Sequence, residues 1–280
     1  MPYGTWIIRE IESPKGYVLS EEEIAVTIGK VDEVVEIELV NYFIKGNIAL
    51  TKVDEDYPDN KLSGAVFEVY SDTNGDGKLD KDDTLLGEMK ELDGGVYQMS
   101  ELRYGKYLVK ETKAPTGFVL DENVYSVSVE ENGKTYTVEN KAGVGFINAA
   151  QKGSLKIVKT SSDGKVEGFS FRVTGVDYDQ TFKTDKNGEI VIEGLRIGDY
   201  TVSEVSDKAS AGYILPADKQ ATVKVDATAI VQMHNEFRDT PKTGDDFNLG
   251  LWVSLAALSV VGAGVLGFVS YKNRKKKKED

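Results

Sequence analysis

The sequence contains no cysteine and only one histidine among its 280 residues. The absence of cysteine excludes disulfide bonds and thiolate metal sites, and a single histidine makes a transition-metal site improbable. The chain has 34 Lys and Arg against 47 Asp and Glu, a formal net charge of -13. An acidic chain of this kind is a poor partner for nucleic acid, so we expect none.

The N-terminus lacks a secretion signal. Met1 to Trp6 provides neither a basic region nor an apolar region of the kind that starts a signal peptide. The C-terminal features described next require export. We therefore expect the chain to be the C-terminal portion of a longer protein.

One long apolar run occurs near the C-terminus, from Leu249 to Tyr271. About 20 apolar residues are enough for a helix that crosses a membrane. The basic tail at 272–278 belongs on the cytoplasmic side, so the residues upstream of the run lie outside the cell. A polar pentapeptide precedes the run and consists of Thr240, Pro241, Lys242, Thr243 and Gly244.

This arrangement resembles the cell-wall sorting signal of Gram-positive surface proteins, in which Leu-Pro-x-Thr-Gly precedes an apolar span and a basic tail. Thr240 stands where that pattern has Leu, which leaves the class of sortase open. The resemblance implies that a sortase cleaves after Thr243, releases Gly244 onward and joins Thr243 to peptidoglycan, with the membrane as a temporary location. The alternative is an ordinary single-pass membrane anchor.

Three internal repeats precede this segment. Residues 3–19, 104–120 and 197–215 share an aromatic-rich pattern that contains Glu10, Glu111 or Glu204. Two of the repeats also have a matching opening segment, at 46–52 and 153–159. The first repeat lacks it, so we expect it to be a domain cut before its opening strand. We divide the chain into unit 1 (1–45), unit 2 (46–150), unit 3 (151–238) and a sorting segment (239–280).

The local pattern throughout the units is that of β-strands. Tyr125, Val127 and Val129 alternate with polar residues, and Asn132-Gly133 is a strong hairpin signal. Short strands with regular turns are typical of antiparallel β-sandwiches of about 100 residues. The sequence therefore predicts an all-β protein of tandem sandwiches, followed by one C-terminal transmembrane helix.

Three types of polar residue fall on the apolar faces of these strands, because side chains alternate between faces. Burying a charge is costly unless it is paired or neutralised. A lysine, a carboxyl and a carboxamide that all point inward indicate one shared site in each unit. In such a site a neutral lysine can attack the Asn carbonyl while a protonated Glu transfers protons. The candidate residues are Lys52 and Lys159; Glu10, Glu111 and Glu204; and Asn41, Asn148 and Asn235.

The units resemble the B-type domains of collagen adhesins and the SpaA-like, prealbumin-like domains of pilins, which are Ig-like sandwiches. The resemblance implies intramolecular isopeptide bonds between Lys52 and Asn148 and between Lys159 and Asn235, with Glu111 and Glu204 as catalytic residues. In unit 1, Asn41 and Glu10 would depend on a lysine upstream of Met1. Unit 3 departs from the pattern at 206–211. The alternatives are exposed polar heads or a buried ion pair without a cross-link.

An acidic loop at 72–83 matches the spacing of a calcium-binding loop. It departs from the template because its last position is Asp rather than Glu and because no pair of helices flanks it. A solvated acidic loop is the alternative. The candidate calcium positions are Asp72, Asn74, Asp76, Lys78, Asp80 and Asp83.

Together these features predict a wall-anchored stalk or adhesin segment that displays an upstream binding region. The expected partners are sortase and peptidoglycan, and no cofactor is required apart from the calcium interpretation. The chain is not expected to be an enzyme, because its only reactive groups are consumed by their own product. The alternatives are a module that itself binds a host extracellular-matrix protein and a subunit of a sortase-assembled pilus.

Overall fold

The computed structural model describes residues 2–238, which form β-strands joined by turns. Within this range there is no helix, and none therefore that could span a membrane. The expected span at 249–271 lies outside the described residues. The prediction of an all-β chain is confirmed.

Unit 1 contributes a single antiparallel hairpin. Strand β1 (Gly4–Arg9) pairs with β2 (Glu23–Ile28), with Trp6 opposite Val26. Much of its apolar surface stays exposed, including Ile7 and Val34. A two-stranded sheet cannot enclose a core by itself.

Unit 2 is a sandwich of two sheets. In one sheet the strand order is β10-β3-β7-β6, with β11 also paired to β3, and in the other it is β5-β4-β8-β9. The strands of unit 2 are β3 (Lys45–Asp54), β4 (Val66–Ser71), β5 (Thr84–Glu88), β6 (Lys90–Glu91), β7 (Val96–Arg103), β8 (Gly105–Lys113), β9 (Val124–Val129), β10 (Thr135–Thr137) and β11 (Phe146–Asn148).

Unit 3 repeats this architecture with sheets of order β15-β12-β19-β17 and β14-β13-β16-β18. Its last long strand is continuous, whereas the corresponding edge in unit 2 is split into β10 and β11. The strands of unit 3 are β12 (Lys152–Ser161), β13 (Ser170–Gly175), β14 (Tyr178–Lys183), β15 (Glu189–Arg196), β16 (Gly198–Glu204), β17 (Tyr213–Ile214), β18 (Lys219–Val223) and β19 (Thr228–Phe237).

The core of each sandwich is built from alternate residues of facing strands. In β3, Ile48 and Leu50 are buried, while Ala49 between them is only partly covered. Phe67, Val69 and Val109 of the opposite sheet close the core of unit 2. Because Lys52 continues the inward-facing series, the fold carries it into the same apolar interior.

The first and last strands of each sandwich are parallel neighbours. In unit 2, β11 pairs with β3 so that Phe146 lies opposite Lys52 and Asn148 opposite Asp54. In unit 3, β19 pairs with β12 in the same way, with Met233 opposite Lys159. The sheets are therefore mixed, in contrast to the antiparallel sandwich expected from the sequence. The connection between parallel partners spans the whole unit, which local sequence patterns cannot reveal.

Candidate functional site

Unit 2 buries the three predicted polar residues between its two sheets. Lys52 on β3 and Asn148 on β11 belong to one sheet, and Glu111 on β8 projects from the other. Lys52 and Glu111 are fully buried, and Asn148 is 3% exposed. The fold therefore brings together side chains that are up to 96 positions apart in the sequence.

Glu111 contacts both other members of this group. Its Oε1 lies 3.8 Å from the Lys52 Nζ, and the Asn148 amide nitrogen donates to both Glu111 oxygens at 3.0 Å. The Lys52 ammonium also donates to the Phe146 carbonyl at 3.0 Å. A backbone N–H, from Asp121, donates to Glu111 Oε2 at 2.8 Å. The carboxyl group is thus held between the amine and the carboxamide.

Burial shifts both titrating groups toward their neutral forms. It lowers the pKa of Lys52 to about 8, although Glu111, Asp121 and Asp54 act in the opposite direction. It also raises the pKa of Glu111, against the hydrogen bonds from Asp121 and Asn148 and the charge of Lys52. A neutral amine is a nucleophile and a neutral carboxyl is a proton donor, so both shifts favour amide transfer.

The carboxamide oxygen of Asn148 is buried without a hydrogen-bond partner. A half turn of the amide group exchanges its oxygen and nitrogen with little change in shape. In that orientation a protonated Glu111 can donate to the Asn148 oxygen and polarise the carbonyl. The same isolated amide oxygen occurs at Asn235 in unit 3.

Unit 3 repeats the site with a looser arrangement. Lys159 is 1% exposed and Asn235 is fully buried, whereas Glu204 is partly covered. The Asn235 amide donates to Glu204 Oε1 at 2.7 Å. The Lys159 ammonium donates to the Thr160 carbonyl and lies 4.2 Å from the centre of the Phe169 ring. Burial lowers the pKa of Lys159 and raises the pKa of Glu204, as in unit 2.

A proline explains one difference between the sites. The Glu111 carboxylate accepts from the N–H of Asp121, which follows Leu120. The corresponding residue in unit 3 is Pro216, after Leu215, and proline has no N–H. Glu204 Oε2 is buried and has no hydrogen-bond partner. The ionised form of Glu204 therefore lacks a stabilising contact that Glu111 has.

Unit 1 holds the acid and the amide of the same group. The Asn41 amide donates to both Glu10 oxygens, at 2.7 and 2.8 Å, and the Ser20 N–H donates to Glu10 at 2.7 Å. Within residues 2–238 no lysine forms an ion pair with Glu10. Both side chains are partly covered rather than buried. The expectation that unit 1 needs another lysine stays a prediction.

Two turn glycines position the lysine strands, and the sequence analysis did not single them out. Gly95 accepts from the Lys52 N–H at 2.7 Å, and Gly188 accepts from the Lys159 N–H at 2.8 Å. Both have positive φ, and a Cβ on Gly95 or Gly188 would lie 2.8 or 2.7 Å from a backbone oxygen. Only glycine fits here without strain. The adjacent Gly94-Gly95 and Asn187-Gly188 turn signals could have identified them.

The acidic loop of unit 2 uses its carboxylates to bind backbone amides. Asp72 accepts from Gly75 and Gly77 at 2.7 and 3.2 Å, and Asp83 accepts from Thr73 and Asp80 at 3.1 and 2.9 Å. No group of three or more Asp, Glu or His suited to a metal occurs in residues 2–238. The set Asp72, Asn74, Asp76, Lys78, Asp80 and Asp83 would have to rearrange to bind calcium, which stays a prediction.

The sorting residues Thr240, Pro241, Lys242, Thr243 and Gly244 lie outside the described residues. Their role therefore also stays a prediction.

Solved structures of similar proteins come from Gram-positive bacteria. The Bacillus anthracis TIE protein has 26% sequence identity and a TM-score of 0.63, covering 85% of this chain and 42% of that one. The chain thus spans less than half the length of that protein. GBS52, the minor pilin of Streptococcus agalactiae, has 16% identity and a TM-score of 0.32, covering 72% of this chain and 100% of that one. The pilus adhesin SpaC from Lactobacillus rhamnosus GG has 14% identity and a TM-score of 0.43, covering 70% of this chain and 32% of that one.

No curated protein sequence matches the chain. The family profile of the SpaA prealbumin-like fold domain matches at residues 1–42, 46–142 and 153–237, which is most of the chain. The chain therefore belongs to the SpaA prealbumin-like domain family.

Proposed function

We propose that this chain is a wall-anchored stalk segment of a Gram-positive surface protein, made rigid by Lys–Asn isopeptide bonds within its domains. SpaA-type domains are structural parts of pilins and adhesins, which agrees with a non-enzymatic role at the cell surface. The observation that carries the proposal is the buried group of Lys52, Glu111 and Asn148. Its repetition as Lys159, Glu204 and Asn235 supports a function that is repeated in each complete unit.

The proposed reaction uses only groups of the chain itself. The neutral Lys52 Nζ attacks the Asn148 Cγ while protonated Glu111 donates to the carbonyl oxygen, which gives a tetrahedral intermediate. Glu111 then takes a proton from the attacking nitrogen and passes it to the amide nitrogen. The Cγ–Nδ2 bond breaks and ammonia leaves, while the hydroxyl of the intermediate returns its proton to Glu111 and the carbonyl re-forms. The products are one Lys–Asn amide and one ammonia molecule. Glu111 is regenerated, but the site cannot react again.

The parallel pairing of β3 and β11 gives this bond a mechanical role. Lys52 lies on the first strand of unit 2 and Asn148 on the last, so the bond would close a loop that contains almost the whole unit. Tension along the chain would then pass from β3 to β11 through the covalent bond. The intervening strands would remain folded under load.

The mass of the purified chain tests the cross-links. We expect the wild type to be lighter than its sequence by two ammonia molecules, one for each complete unit. Glu111→Gln should restore one ammonia mass and Glu204→Gln the other, while the exposed Glu88→Gln on β5 should change neither bond. Digestion should yield one branched peptide containing Lys52 and Asn148, and another containing Lys159 and Asn235. A wild-type mass equal to that of the sequence would refute the proposal.

Anchoring is a separate part of the proposal. The support is the order of pentapeptide, apolar run and basic tail from Thr240 onward. In a Gram-positive host with a housekeeping sortase, and with a secretion signal fused to the N-terminus, we expect Thr243 to become the C-terminal residue joined to a peptidoglycan fragment. Thr243→Ala should leave the chain in the membrane fraction, and Lys242→Ala, at the variable position, should still reach the wall. Equal wall attachment of Thr243→Ala and the wild type would argue against sorting.

Binding of a host extracellular-matrix protein and assembly into a pilus remain alternatives for the same surface role. Binding of collagen or fibronectin by residues 1–238 would favour the first. Ladders of covalent multimers that depend on a pilus-specific sortase would favour the second.

A further inference from the structure

An arginine of unit 3 is anchored in unit 2. Arg196, the last residue of β15, donates from Nη1 and Nη2 to the two carboxylate oxygens of Asp54 at 2.6 and 2.8 Å. Its Nη2 also donates to Asp56 at 3.0 Å. The Asp54 side chain is 3% exposed and that of Arg196 is 14% exposed. This bidentate geometry, largely away from water, is the strongest form of an Arg–carboxylate contact.

Two aromatic rings and a backbone hydrogen bond also contribute to this junction between units 2 and 3. The Arg196 guanidinium lies 4.9 Å from the centre of the Tyr57 ring and 5.8 Å from that of Phe118, both in unit 2. The next residue, Ile197, donates its N–H to the Gln151 carbonyl at 3.1 Å. The 196–197 turn of unit 3 therefore contacts both unit 2 and the segment that joins the two units.

These contacts reach the two strands that carry the reacting residues of unit 2. Asp54 follows Lys52 by two positions on β3, so the two residues lie on the same face in an extended strand. Asp54 is also the pairing partner of Asn148, whose backbone carbonyl accepts from the Glu55 N–H at 3.1 Å. Gln151 follows Asn148 by three positions. The 196–197 turn therefore holds the β3 strand and the chain leaving β11 in one place.

The junction between units 1 and 2 uses the same position of the repeat. Arg103 corresponds to Arg196, and its guanidinium lies 4.0 Å from the centre of the Phe43 ring. The Tyr104 N–H donates to the Ile44 backbone carbonyl at 3.0 Å, as the Ile197 N–H does to the Gln151 backbone carbonyl. Contact between neighbouring units through this turn is thus a repeated feature. Within residues 2–238, only the arginine at position 196 also forms ion pairs with two carboxylates of the preceding unit.

We propose that Arg196 of unit 3 is a positioning residue for the Lys52–Asn148 reaction of unit 2, so that docking of one domain completes the reactive site of its neighbour. This inference rests on the proposed function, because it concerns the rate of the same bond. Arg196 does not touch the reacting atoms. It acts through Asp54 and through the position of the segment after Asn148.

The electrostatic part of the inference concerns the charges that face Lys52. These are Glu111 and Asp121 from the opposite sheet and its connecting loop, and Asp54 from its own strand. Burial on its own raises the pKa of Asp54, but hydrogen bonds from Arg196 and the Asp56 N–H outweigh it and lower that pKa. Loss of the guanidinium would leave the buried Asp54 carboxylate without its cationic partner, while the hydrogen bond from the Asp56 N–H would still favour its ionised form. That charge would hold Lys52 protonated and therefore unreactive.

The test compares both bonds in the same molecules. Full-length chains recovered unfolded and not cross-linked in urea are refolded by dilution at several pH values, and the branched peptides are quantified over time by mass spectrometry. With Arg196→Gln we expect the Lys52–Asn148 bond to form about tenfold more slowly, with the alkaline limb of its pH–rate profile moved up by on the order of one pH unit. The Lys159–Asn235 bond should keep its wild-type rate.

Three variants separate charge from folding. Arg196→Lys keeps a positive charge and should give an intermediate rate, and Asp54→Asn with Arg196→Gln removes the unpaired carboxylate and should restore the rate. Lys152→Gln removes only the Lys152–Asp56 pair at the same junction, 3.0 Å long and partly exposed, and should have little effect. An unchanged rate in Arg196→Gln, or equal slowing of both bonds with no shift of the pH limb, would overturn the inference. Absence of both bonds in the wild type would instead refute the proposed function.

Discussion

The Nζ of Lys52 lies 3.8 Å from Oε1 of Glu111, and both side chains are completely removed from water. A long contact of this kind gives a small Coulomb gain for two fully desolvated charges, so the ion pair is poorly stabilised. Transfer of the proton from Lys52 to Glu111 removes both charges. The neutral pair that results is also the pair that can attack and polarise the Asn148 amide.

The proposed Lys52–Asn148 cross-link should contribute measurably to the stability of unit 2. Glu111→Gln preserves the size of the side chain but prevents the bond, so the loop at 52–148 stays open in the unfolded chain. By analogy with a disulfide that encloses about 100 residues, we expect the free energy of unfolding of unit 2 to fall by roughly 4 to 5 kcal/mol. Hydrogen exchange resolved on peptides of β7 and β8 in increasing urea would measure the change.

The matched control for this measurement is Glu88→Gln, which changes an exposed carboxylate in the same unit. Its exchange should match that of the wild type. Equal protection of β7 and β8 in Glu111→Gln and the wild type would show that no covalent contribution exists.

The rate of bond formation in unit 2 should have a bell-shaped dependence on pH. The reactive state, neutral Lys52 with protonated Glu111, holds one proton in total, as does the ion pair. The fraction of molecules in this reactive state is therefore constant between the two apparent pKa values of the Lys52–Glu111 pair. It decreases about tenfold per pH unit below the lower value and above the higher one. Because the pKa of Lys52 is lowered to about 8, the alkaline limb should begin near that pH. A rate that still rises at pH 10 would contradict this assignment.

Pro216 should influence the acidic limb of the pH–rate profile for the Lys159–Asn235 reaction in unit 3. Pro216→Ala supplies a backbone N–H where Asp121 provides one in unit 2, and this donor should stabilise ionised Glu204 and lower its pKa. We expect the acidic limb of the Lys159–Asn235 reaction to move down by on the order of one pH unit. Timed mass spectrometry of refolding chains would measure it, with the Lys52–Asn148 bond in the same molecules as the control. An unchanged acidic limb would show that residue 216 does not contact Glu204.

Calcium binding by the acidic loop remains open to a direct measurement. We expect a dissociation constant that is roughly millimolar, because the carboxylates must first release backbone amides. Calorimetric titration should show saturable heat that Asp80→Asn abolishes, while the exposed Asp59→Asn outside the loop should leave it unchanged. Absence of heat at millimolar calcium in the wild type would show that the acidic loop does not bind calcium.

Local patterns were sufficient to predict strands and the inward face of Lys52, Glu111 and Asn148 in unit 2. The alternation around Lys52, with Ile48 and Leu50, predicts that it points into the core, and the structure buries it completely. Alternation reports only the two faces of one strand, however, so it could not show that β3 and β11 run parallel. It also could not identify Pro216 as a missing donor, because the partner of that position lies on another strand.

The sequence by itself determined the all-β fold, the repeats and the residue types of each candidate site, because strand period, turn residues and internal similarity are local properties. Only the tertiary structure decided which groups meet. The Lys52–Glu111 contact joins opposite sheets, and the Arg196–Asp54 contact joins residues 142 positions apart in different units. Such contacts depend on how sheets and domains pack, and a hydrophobic pattern along one strand carries no record of that packing.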